Sequence, residues 1–421
     1  MTAEVSAAPR PRGTRKQQLG AVAANLFLEH GYLGVGVNDI ATAAGISGPA
    51  LYRHFPSKQA LLAHVLLEGI GHVQHAASGQ LHSMRAPRTR LDAFATALAE
   101  VAVTHRGAAA LWRWEGRHLA EHDREQVLGT ANEVMTDWVA LLREARPELS
   151  ASAAQLRCWA ALSVFGSVAV HRTSLPKRQY VPLIARLAMA VLDAHLPSSV
   201  PPRPVSIEPD QPSTTKREEL LAAATTLFRR HGFPAVSVEE IGQSVGLAAA
   251  SVYRHFPSKA DMLLAACHRM AATLRAEAEH AVMAADNPAE ALDRLLTAYV
   301  DIAADNRDLL AVYSTDTLHL PRSRRAELTS LQRDYVAHWV ELDRRLRPAR
   351  TERASRIAVH ATLTIVNDLV RTGKTWRHPQ PRAELIAIGR QILLAEPAEP
   401  PSNDPGAEST SIRATTEPEF R

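Results

Sequence analysis

The chain has 421 residues, of which 46% are hydrophobic and 22% charged, and its formal net charge is only +4. A chain of this length is too long to fold around a single hydrophobic core, which predicts at least two domains. No apolar run approaches the roughly 18 residues of a transmembrane helix, so we expect a soluble, cytoplasmic protein without membrane contact. Two cysteines, Cys158 and Cys267, are too few for a disulfide framework or a cysteine-based zinc site.

Three segments combine many Pro, Ser, Thr or charged residues with few apolar ones, which predicts disorder. They are a basic N-terminal arm at 1–13, a Pro-rich linker at 197–215 and a tail at 396–421. Between them, apolar residues recur at three- and four-residue spacing, and no alternation typical of strands stands out. The predicted fold class is therefore all-α.

Eight helices are predicted in each half of the chain, with prolines at several of the breaks between them. The first eight are placed at 14–30, 37–44, 48–54, 57–76, 88–105, 122–145, 151–173 and 179–195. Their counterparts are placed at 215–231, 238–245, 249–255, 258–284, 288–305, 322–347, 352–373 and 382–395.

The two halves share sequence as well as layout. A shift of 201 residues aligns Arg15–Leu62 with Lys216–Leu263 without a gap, and 19 of the 48 positions are identical. Most shared positions are apolar residues or turn glycines, which indicates a duplicated unit with a common core. We divide each unit into an N-terminal head and a helical effector domain, at 14–62 and 63–196, then at 216–263 and 264–395.

Each head contains the pattern of a helix-turn-helix. Ser237 and Glu240 form a predicted capping box at the start of one short helix, and Gly246 permits the turn to the next. The first repeat has Gly36, Asp39 and Gly45 at these positions. A helix-turn-helix presents its second helix to the DNA major groove, so duplex DNA is the expected partner.

The second short helix has an inward and an outward face. Leu51 and Phe55, like Val252 and Phe256, are four residues apart and are expected to face the core. Lys58 and Lys259 open the following helix, where exposed N–H groups and a lysine together attract phosphate. The candidate DNA-binding residues are Ser47, Gly48, Pro49, Ala50, Tyr52, Arg53, His54 and Lys58, with Ala248, Ala249, Ala250, Ser251, Tyr253, Arg254, His255 and Lys259.

At this point the sequence closely resembles the TetR family of one-component bacterial transcriptional regulators. The resemblance lies in a first helix ending in His-Gly-Tyr or His-Gly-Phe, in Val-x-x-Ile, in Ala-Gly-Ile or Val-Gly-Leu, and in Tyr-Arg-His-Phe-Pro-Ser-Lys. The resemblance implies a non-enzymatic protein that represses transcription by occupying an operator. It also implies release by a small, largely apolar effector that enters the helical domain. A ligand-independent DNA-binding or architectural protein is the alternative.

Family members are normally homodimers paired through their last two helices, which correspond here to 151–173 with 179–195 and to 352–373 with 382–395. This chain departs from that pattern because both halves are covalently joined. An extended linker of this length reaches roughly 59 Å, far enough to run from the effector end of one repeat to the head of the next. Two arrangements are compatible with the sequence: an intramolecular pseudo-dimer on an asymmetric operator, or a homodimer of chains with four heads.

The sequence is less specific about other ligands. Five aromatic residues of the first effector domain are candidates to line a ligand cavity, although core packing also explains them: Trp112, Trp114, Trp138, Trp159 and Phe165. His118 and His122 have the spacing of metal ligands on a helix, but no third ligand accompanies them, so a structural or surface role is favoured. Neither a cofactor nor a metal ion is predicted.

Overall fold

The computed structural model describes residues 14–197, 215–315, 320–373, 378 and 380–394. The predicted arm, most of the linker and the tail lie outside this part of the chain. In the first repeat the helices are α1 Arg15–His30, α2 Val37–Ala43, α3 Gly48–Tyr52, α4 Lys58–Leu81, α5 Pro87–Thr104, α6 Arg106–Glu115, α7 Glu121–Ala145, α8 Ala151–Ser167 and α9 Lys177–Asp193. In the second they are α10 Lys216–His231, α11 Val238–Ser244, α12 Ala249–Val252, α13 Lys259–Met283, α14 Pro288–Asp305, α15 Arg307–Thr315, α16 Arg322–Leu346, α17 Glu352–Thr372 and α18 Pro381–Leu394.

The all-α prediction is confirmed, since every regular element of the described chain is helical. All sixteen predicted helices are present, most of them with ends within two or three residues of the prediction, but α4 runs on to Leu81. Helices α6 and α15 were missed, because each follows the preceding helix after a single residue, His105 or Asn306. Without an intervening proline or glycine, the sequence gives no sign that a second helix begins there.

The prediction for α8 was wrong at its C-terminal end. It ends at Ser167 and not at 173, and the chain continues in short turns in which Val168 N–H bonds Phe165 O and Val170 N–H bonds Ser167 O. The guanidinium of Arg106 holds the chain after Ser167 in this non-helical path by donating to the carbonyls of Val168 and His171.

Helix N-caps show which parts of the duplicated unit have diverged. A Ser or Thr hydroxyl caps the same helix in both repeats at three pairs of positions: Thr14 and Thr215, Ser57 and Ser258, Ser150 and Thr351. At three further pairs only one repeat has a capping side chain that accepts from the helix: Ser237 but not Gly36, Ser47 but not Ala248, and Asn287 but not Ala86. Two of these three differences lie in the helix-turn-helix itself.

The buried side chains form two apolar clusters. The smaller one is the core of the first head, and it is completed by Leu111 from α6, by Leu119 before α7 and by Val127 of α7. The larger cluster joins both effector domains with the core of the second head. No helix in the described part of the chain has the length and apolarity required to span a bilayer.

The two repeats meet through the last two helices of each effector domain. Helix α8 packs against α17, and α9 contacts both α17 and α18. Ala160 and Ala161 of α8 are completely buried, and their small side chains permit close helix approach. At the edge of this contact the rings of His171 and His360 stack with centroids 4.5 Å apart.

Candidate DNA-binding interface

In the first head the turn between α2 and α3 has the backbone geometry that glycine favours. Gly45 has a φ of +67°, and the next N–H, of Ile46, bonds back to Ala41 O at 2.9 Å. A side chain would strain this left-handed conformation even though the space around Gly45 is open. Ser47 then caps α3 by accepting from Ala50 N–H at 3.3 Å.

The second head repeats this turn with one difference. Gly246 has a φ of +73°, and Leu247 N–H bonds Gly242 O at 2.8 Å. Ala248 occupies the N-cap of α12 and has no side chain that accepts a hydrogen bond. The predicted capping box at the start of α11 is confirmed, because Glu240 N–H donates to Ser237 Oγ at 3.1 Å and Ser237 N–H donates to Glu240 Oε2 at 2.7 Å.

The two faces of each second helix are divided as predicted. Leu51 and Val252 are at most 2% exposed and belong to the cores, whereas Tyr52 and Tyr253 are 53% and 50% exposed. The other candidate residues before the lysines are exposed or half-buried: Ser47, Gly48, Pro49, Ala50, Arg53, His54, Ala248, Ala249, Ala250, Ser251, Arg254 and His255. The guanidinium of Arg254 donates to Ser251 Oγ at 3.0 Å within its own helix.

Lys58 and Lys259 have a structural role that the sequence did not predict. Lys58 Nζ donates to Tyr32 O and Val35 O, both at 2.9 Å, and lies 4.3 Å from the centroid of the Tyr32 ring. Lys259 Nζ donates to Phe233 O, Pro234 O and Val236 O at 2.6 to 3.3 Å. Burial lowers the pKa of both lysines. Each lysine therefore fastens the loop after the first helix of its head, and phosphate contact stays a prediction.

Side chains from other helices also border these surfaces. A Cβ on Gly48 would lie 2.7 Å from Asn38 Oδ1, so the Asn38 side chain crosses the start of α3. Glu239 and Ala249 hold the equivalent positions in the second head. Asn38 could have been found from the alignment of the repeats, because its neutral amide in the first head aligns with the carboxylate of Glu239 in the second.

The heads are joined to their effector domains through different contacts. In the first repeat Gln59 Nε2 donates to His118 O at 2.8 Å, and the His118 ring stacks on Tyr32 with centroids 5.0 Å apart. His118 therefore has the structural role that its sequence context favoured. In the second repeat Thr226 Oγ1 donates to Asp308 Oδ2 at 3.2 Å, and Arg229 forms an ion pair with the same carboxylate.

Some of the candidate ligand-binding aromatics lie close together. Trp138 is 1% exposed, its ring lies 5.3 Å edge-on from Phe94, and Phe165 lies at 6.3 Å. Trp159 is half-buried, and the side chains of Trp112 and Trp114 lie outside the described residues. A second buried aromatic group joins Tyr299, Tyr335 and Trp339, with Tyr299 Oη donating to Asn367 Oδ1 at 2.6 Å. Within the described residues, no group of three or more His, Cys, Asp or Glu side chains could hold a metal ion.

Comparison with known proteins identifies the heads. Residues 20–65 and 220–266 each match the family described as "Bacterial regulatory proteins, tetR family". Both heads are therefore TetR-family domains. Residues 285–379 match a further family, "Tetracyclin repressor-like, C-terminal domain". The resemblance inferred from the motif is thereby confirmed.

Among the TetR-family relatives is the transcriptional activator FasR of Mycolicibacterium smegmatis, 33% identical over 132 residues, which are 31% of this chain and 58% of FasR. The transcriptional repressor KstR2 of Rhodococcus jostii is 32% identical over 133 residues, 30% of this chain and 63% of KstR2. The chain thus spans less than two thirds of these relatives. A TetR-family regulator from Bordetella parapertussis is a structural neighbour with a TM-score of 0.38 and 21% identity, over 42% of this chain and 93% of its own.

Proposed function

We propose that this protein is a sequence-specific transcriptional repressor that binds duplex DNA with both heads. The observation that carries the proposal is the pair of helix-turn-helix units, each with a second helix that follows a glycine turn and exposes its outward face. The outward residues, including Tyr52 and Tyr253, are then the groove and phosphate contacts. Relatives named as a repressor and as an activator support regulation of transcription in general, and operator occupancy favours repression.

We further propose that a single chain acts as an intramolecular pseudo-dimer. The packing of α8 against α17 supports this, because these are the equivalent helices through which two separate chains would pair. The linker holds the halves at an effective concentration in the millimolar range. The two heads would then occupy successive major grooves about 34–36 Å apart.

The operator of such a pseudo-dimer is proposed to be asymmetric. The first head presents Ser47-Gly48-Pro49-Ala50 at the start of its recognition helix, and the second presents Ala248-Ala249-Ala250-Ser251. Asn38 borders the first of these surfaces, whereas Glu239 stands at its counterpart. Each base pair that the two heads read differently contributes about 1–3 kcal/mol of discrimination. Two such positions would favour unlike half-sites over a perfect palindrome.

Release from DNA is proposed to follow binding of a small, largely apolar effector in the helical domain. The aromatic residues around Trp138 and Phe165 support a site in the first repeat, and Trp112, Trp114 and Trp159 remain candidates there. The effector-domain match in the second repeat supports a site there as well.

Binding-site selection from random duplexes tests the proposal. We expect a recovered site with two unlike halves, and we expect a screen of small apolar molecules against the complex on that site to find one that releases it. Failure to bind any duplex more tightly than random DNA at physiological salt would refute sequence-specific regulation. Specific binding that no molecule in a broad screen disrupts would favour the ligand-independent architectural alternative.

A further inference from the structure

We propose that three glycines of the first repeat form a hinge on which the first head turns relative to the effector domains, while the second head is fixed to them. The glycines, called the hinge below, are Gly69 and Gly71 of α4 and Gly129 of α7. The two repeats differ in how the core of each head joins the rest of the molecule. This difference goes beyond what the proposed function requires.

The first head has a core of its own, whereas the core of the second head is continuous with both effector domains. Helix α4 shows where the core of the first head ends, because Leu66 belongs to the smaller cluster and Ala77 to the larger one. The structure describes every residue between them, 67–76, and each of these is half-buried or exposed. Helix α4 therefore crosses a gap between two separate cores.

The two hinge glycines of α4 lie in this gap. Gly69 stands where α13 has Met270, which is completely buried in the larger cluster. A Cβ on Gly69 would lie 2.7 Å from the Cβ of Ala108, so α6 approaches α4 there too closely for a larger residue. Gly71 stands where α13 has Ala272, and a Cβ on it would meet no described residue within 4 Å. Packing therefore does not require a glycine at 71, but two glycines inside one helix turn permit the helix to bend.

Helix α7 crosses the same boundary, also with a glycine. Val127 belongs to the smaller cluster and Val134 to the larger one, and Gly129 lies between them at an exposed position. A Cβ on Gly129 would likewise meet no described residue within 4 Å. The next residue is Thr130, whose counterpart Leu331 in the second repeat packs against the larger cluster. Both long helices that leave the core of the first head thus have glycine at the boundary between the cores.

Polar side chains occupy this part of the first repeat. The rings of His72 and His105 stack with centroids 4.0 Å apart, and Gln17 Nε2 donates to Glu68 Oε1 at 3.2 Å. Water can replace such contacts at a small net cost when the head moves. Movement of the second head would instead open voids beside Met270 in a close-packed apolar core. The first head is therefore the easier of the two to displace.

Helix α6 keeps the first head attached while it turns. The C-terminal half of α6 belongs to the head, since Leu111 lies in the smaller cluster and Glu115 accepts a hydrogen bond from Tyr32 N–H. The first residue of α6, Arg106, donates to Val168 O of the effector domain at 3.0 Å. The head is therefore tied to the effector domain without being packed into its core, which is the arrangement of a hinged domain.

Movement of one head is enough to control a pseudo-dimer, because both heads must reach their half-sites together. This step rests on the proposed function. In the proposed repressor, the separation of the heads changes when the first head turns, and the second head stays with the effector domains. Release from DNA then begins at the half-site of the first head.

Distances between spin labels in the free, full-length protein test the hinge. The two native cysteines are buried, so the labels attach to introduced cysteines. Each labelled protein has one exposed site in a head and one in the effector domain of the same repeat: Thr42→Cys with Glu133→Cys, or their counterparts Gln243→Cys with Asp334→Cys. Double electron–electron resonance should give a distance distribution about twice as wide for the first pair as for the second. Equal widths would overturn the hinge.

Alanine substitutions assign the movement to the glycines. Gly71→Ala combined with Gly129→Ala adds two methyl groups in open space, which preserves the fold and makes local opening of the helices about two- to fivefold rarer at each site. We expect the distribution of the first pair to narrow to the width of the second. Gly79→Ala is the matched control, because Gly79 is an exposed glycine of α4 with equally open surroundings but lies beyond the gap. An unchanged width in the double variant, or equal narrowing in Gly79→Ala, would also overturn the hinge.

The hinge and the proposed function fail separately. If the two distributions are equally wide but the protein binds a selected operator, the hinge is wrong and the proposed function stands. If the first distribution is wider but no duplex is bound more tightly than random DNA, the hinge stands and the proposed function is wrong.

Discussion

The carboxylate of Glu115 accepts a hydrogen bond of 3.1 Å from the backbone N–H of Tyr32, in the loop between α1 and α2 of the first head. Glu115 is the last residue of α6 and is 7% exposed. The first residue of the same helix, Arg106, donates to carbonyls beside the interface between the repeats. Helix α6 therefore connects that interface to the first head through hydrogen bonds at both of its ends.

Removing the Glu115 carboxylate should loosen the first head. Glu115→Ala leaves the buried Tyr32 N–H without its acceptor, for which we expect a loss of about 1–3 kcal/mol in local stability. Hydrogen exchange at α1 to α3 measures this directly. Glu121→Ala, at an exposed glutamate of α7, is the control. Unchanged protection of the first head in Glu115→Ala would show that α6 does not hold it.

The stacked pair His171 and His360 should make the interface sensitive to acid. Burial lowers the pKa of His171 to about 3, aided by the charges of His360, Arg106 and Arg356. Burial followed by Arg356 lowers the pKa of His360 to about 4. Both values lie below about 6.5, the pKa of an unfolded histidine. At pH values between the folded and the unfolded pKa, the unfolded chain therefore binds more protons than the folded chain. Stability therefore falls as pH falls from about 6.5 towards 4.

Carboxylates titrate in the same pH range, so a variant is needed to isolate the contribution of one histidine ring to the loss of stability. His360→Phe keeps an aromatic ring at the contact but cannot be protonated. Urea unfolding at pH 7.5 and 5.5 measures how much stability each protein loses on acidification. At pH 5.5, about one unit below the unfolded pKa, we expect the loss for His360→Phe to be smaller than that for wild type by about 1 kcal/mol. His75→Phe, at an exposed position on α4, is the control. Identical pH slopes for wild type and His360→Phe would contradict the assignment.

The capping box gives the second head a contact that the first head lacks. Ser237→Ala removes the acceptor for Glu240 N–H and should destabilise α11 by roughly 1 kcal/mol. The exchange rates of α11 amides should rise while those of α2, which begins after Gly36, stay the same. Ser323→Ala, at an exposed serine in the first turn of α16, tests for a nonspecific effect. Equal effects of the two substitutions on α11 would disprove the capping role.

The two lysines should affect DNA binding to different degrees. Lys58 donates to two loop carbonyls and Lys259 to three, so Lys58 retains more capacity to meet a phosphate. We expect Lys58→Ala to weaken binding at all sequences alike and to reduce the salt slope by about one ion. Lys259→Ala should change the slope less and loosen the loop after α10. A loss confined to particular operator sequences would mean that these lysines read bases.

The repeated elements were predictable because their signals are local. Apolar spacing, capping residues and turn glycines fix α2, α3, α11 and α12 within the chain segment that contains them. The role of Lys58 was not predictable in this way, because its acceptors Tyr32 and Val35 lie more than twenty residues earlier in sequence. The Glu115 contact is more distant still, since it joins residues 83 positions apart. Such contacts depend on tertiary packing, which periodicity does not encode.

The contacts between the repeats could not be predicted from the sequence for the same reason. The helices of this interface were predicted from apolar spacing and their pairing from the family resemblance, but the non-helical segment after α8 is held by Arg106, which belongs to the unpredicted α6. The burial of Arg157 and Glu384 was equally unpredictable, because each residue by itself is an ordinary charged position on a helix. Only the packed arrangement shows that both are buried.

The stoichiometry of the complex with its selected operator tests the central claim most directly. Sedimentation equilibrium or native mass spectrometry of the full-length protein on that duplex gives the number of chains bound. We predict one chain on one operator with two unlike half-sites, and loss of specific binding when either half-site is scrambled. Two chains bound to a perfect palindrome would contradict the pseudo-dimer.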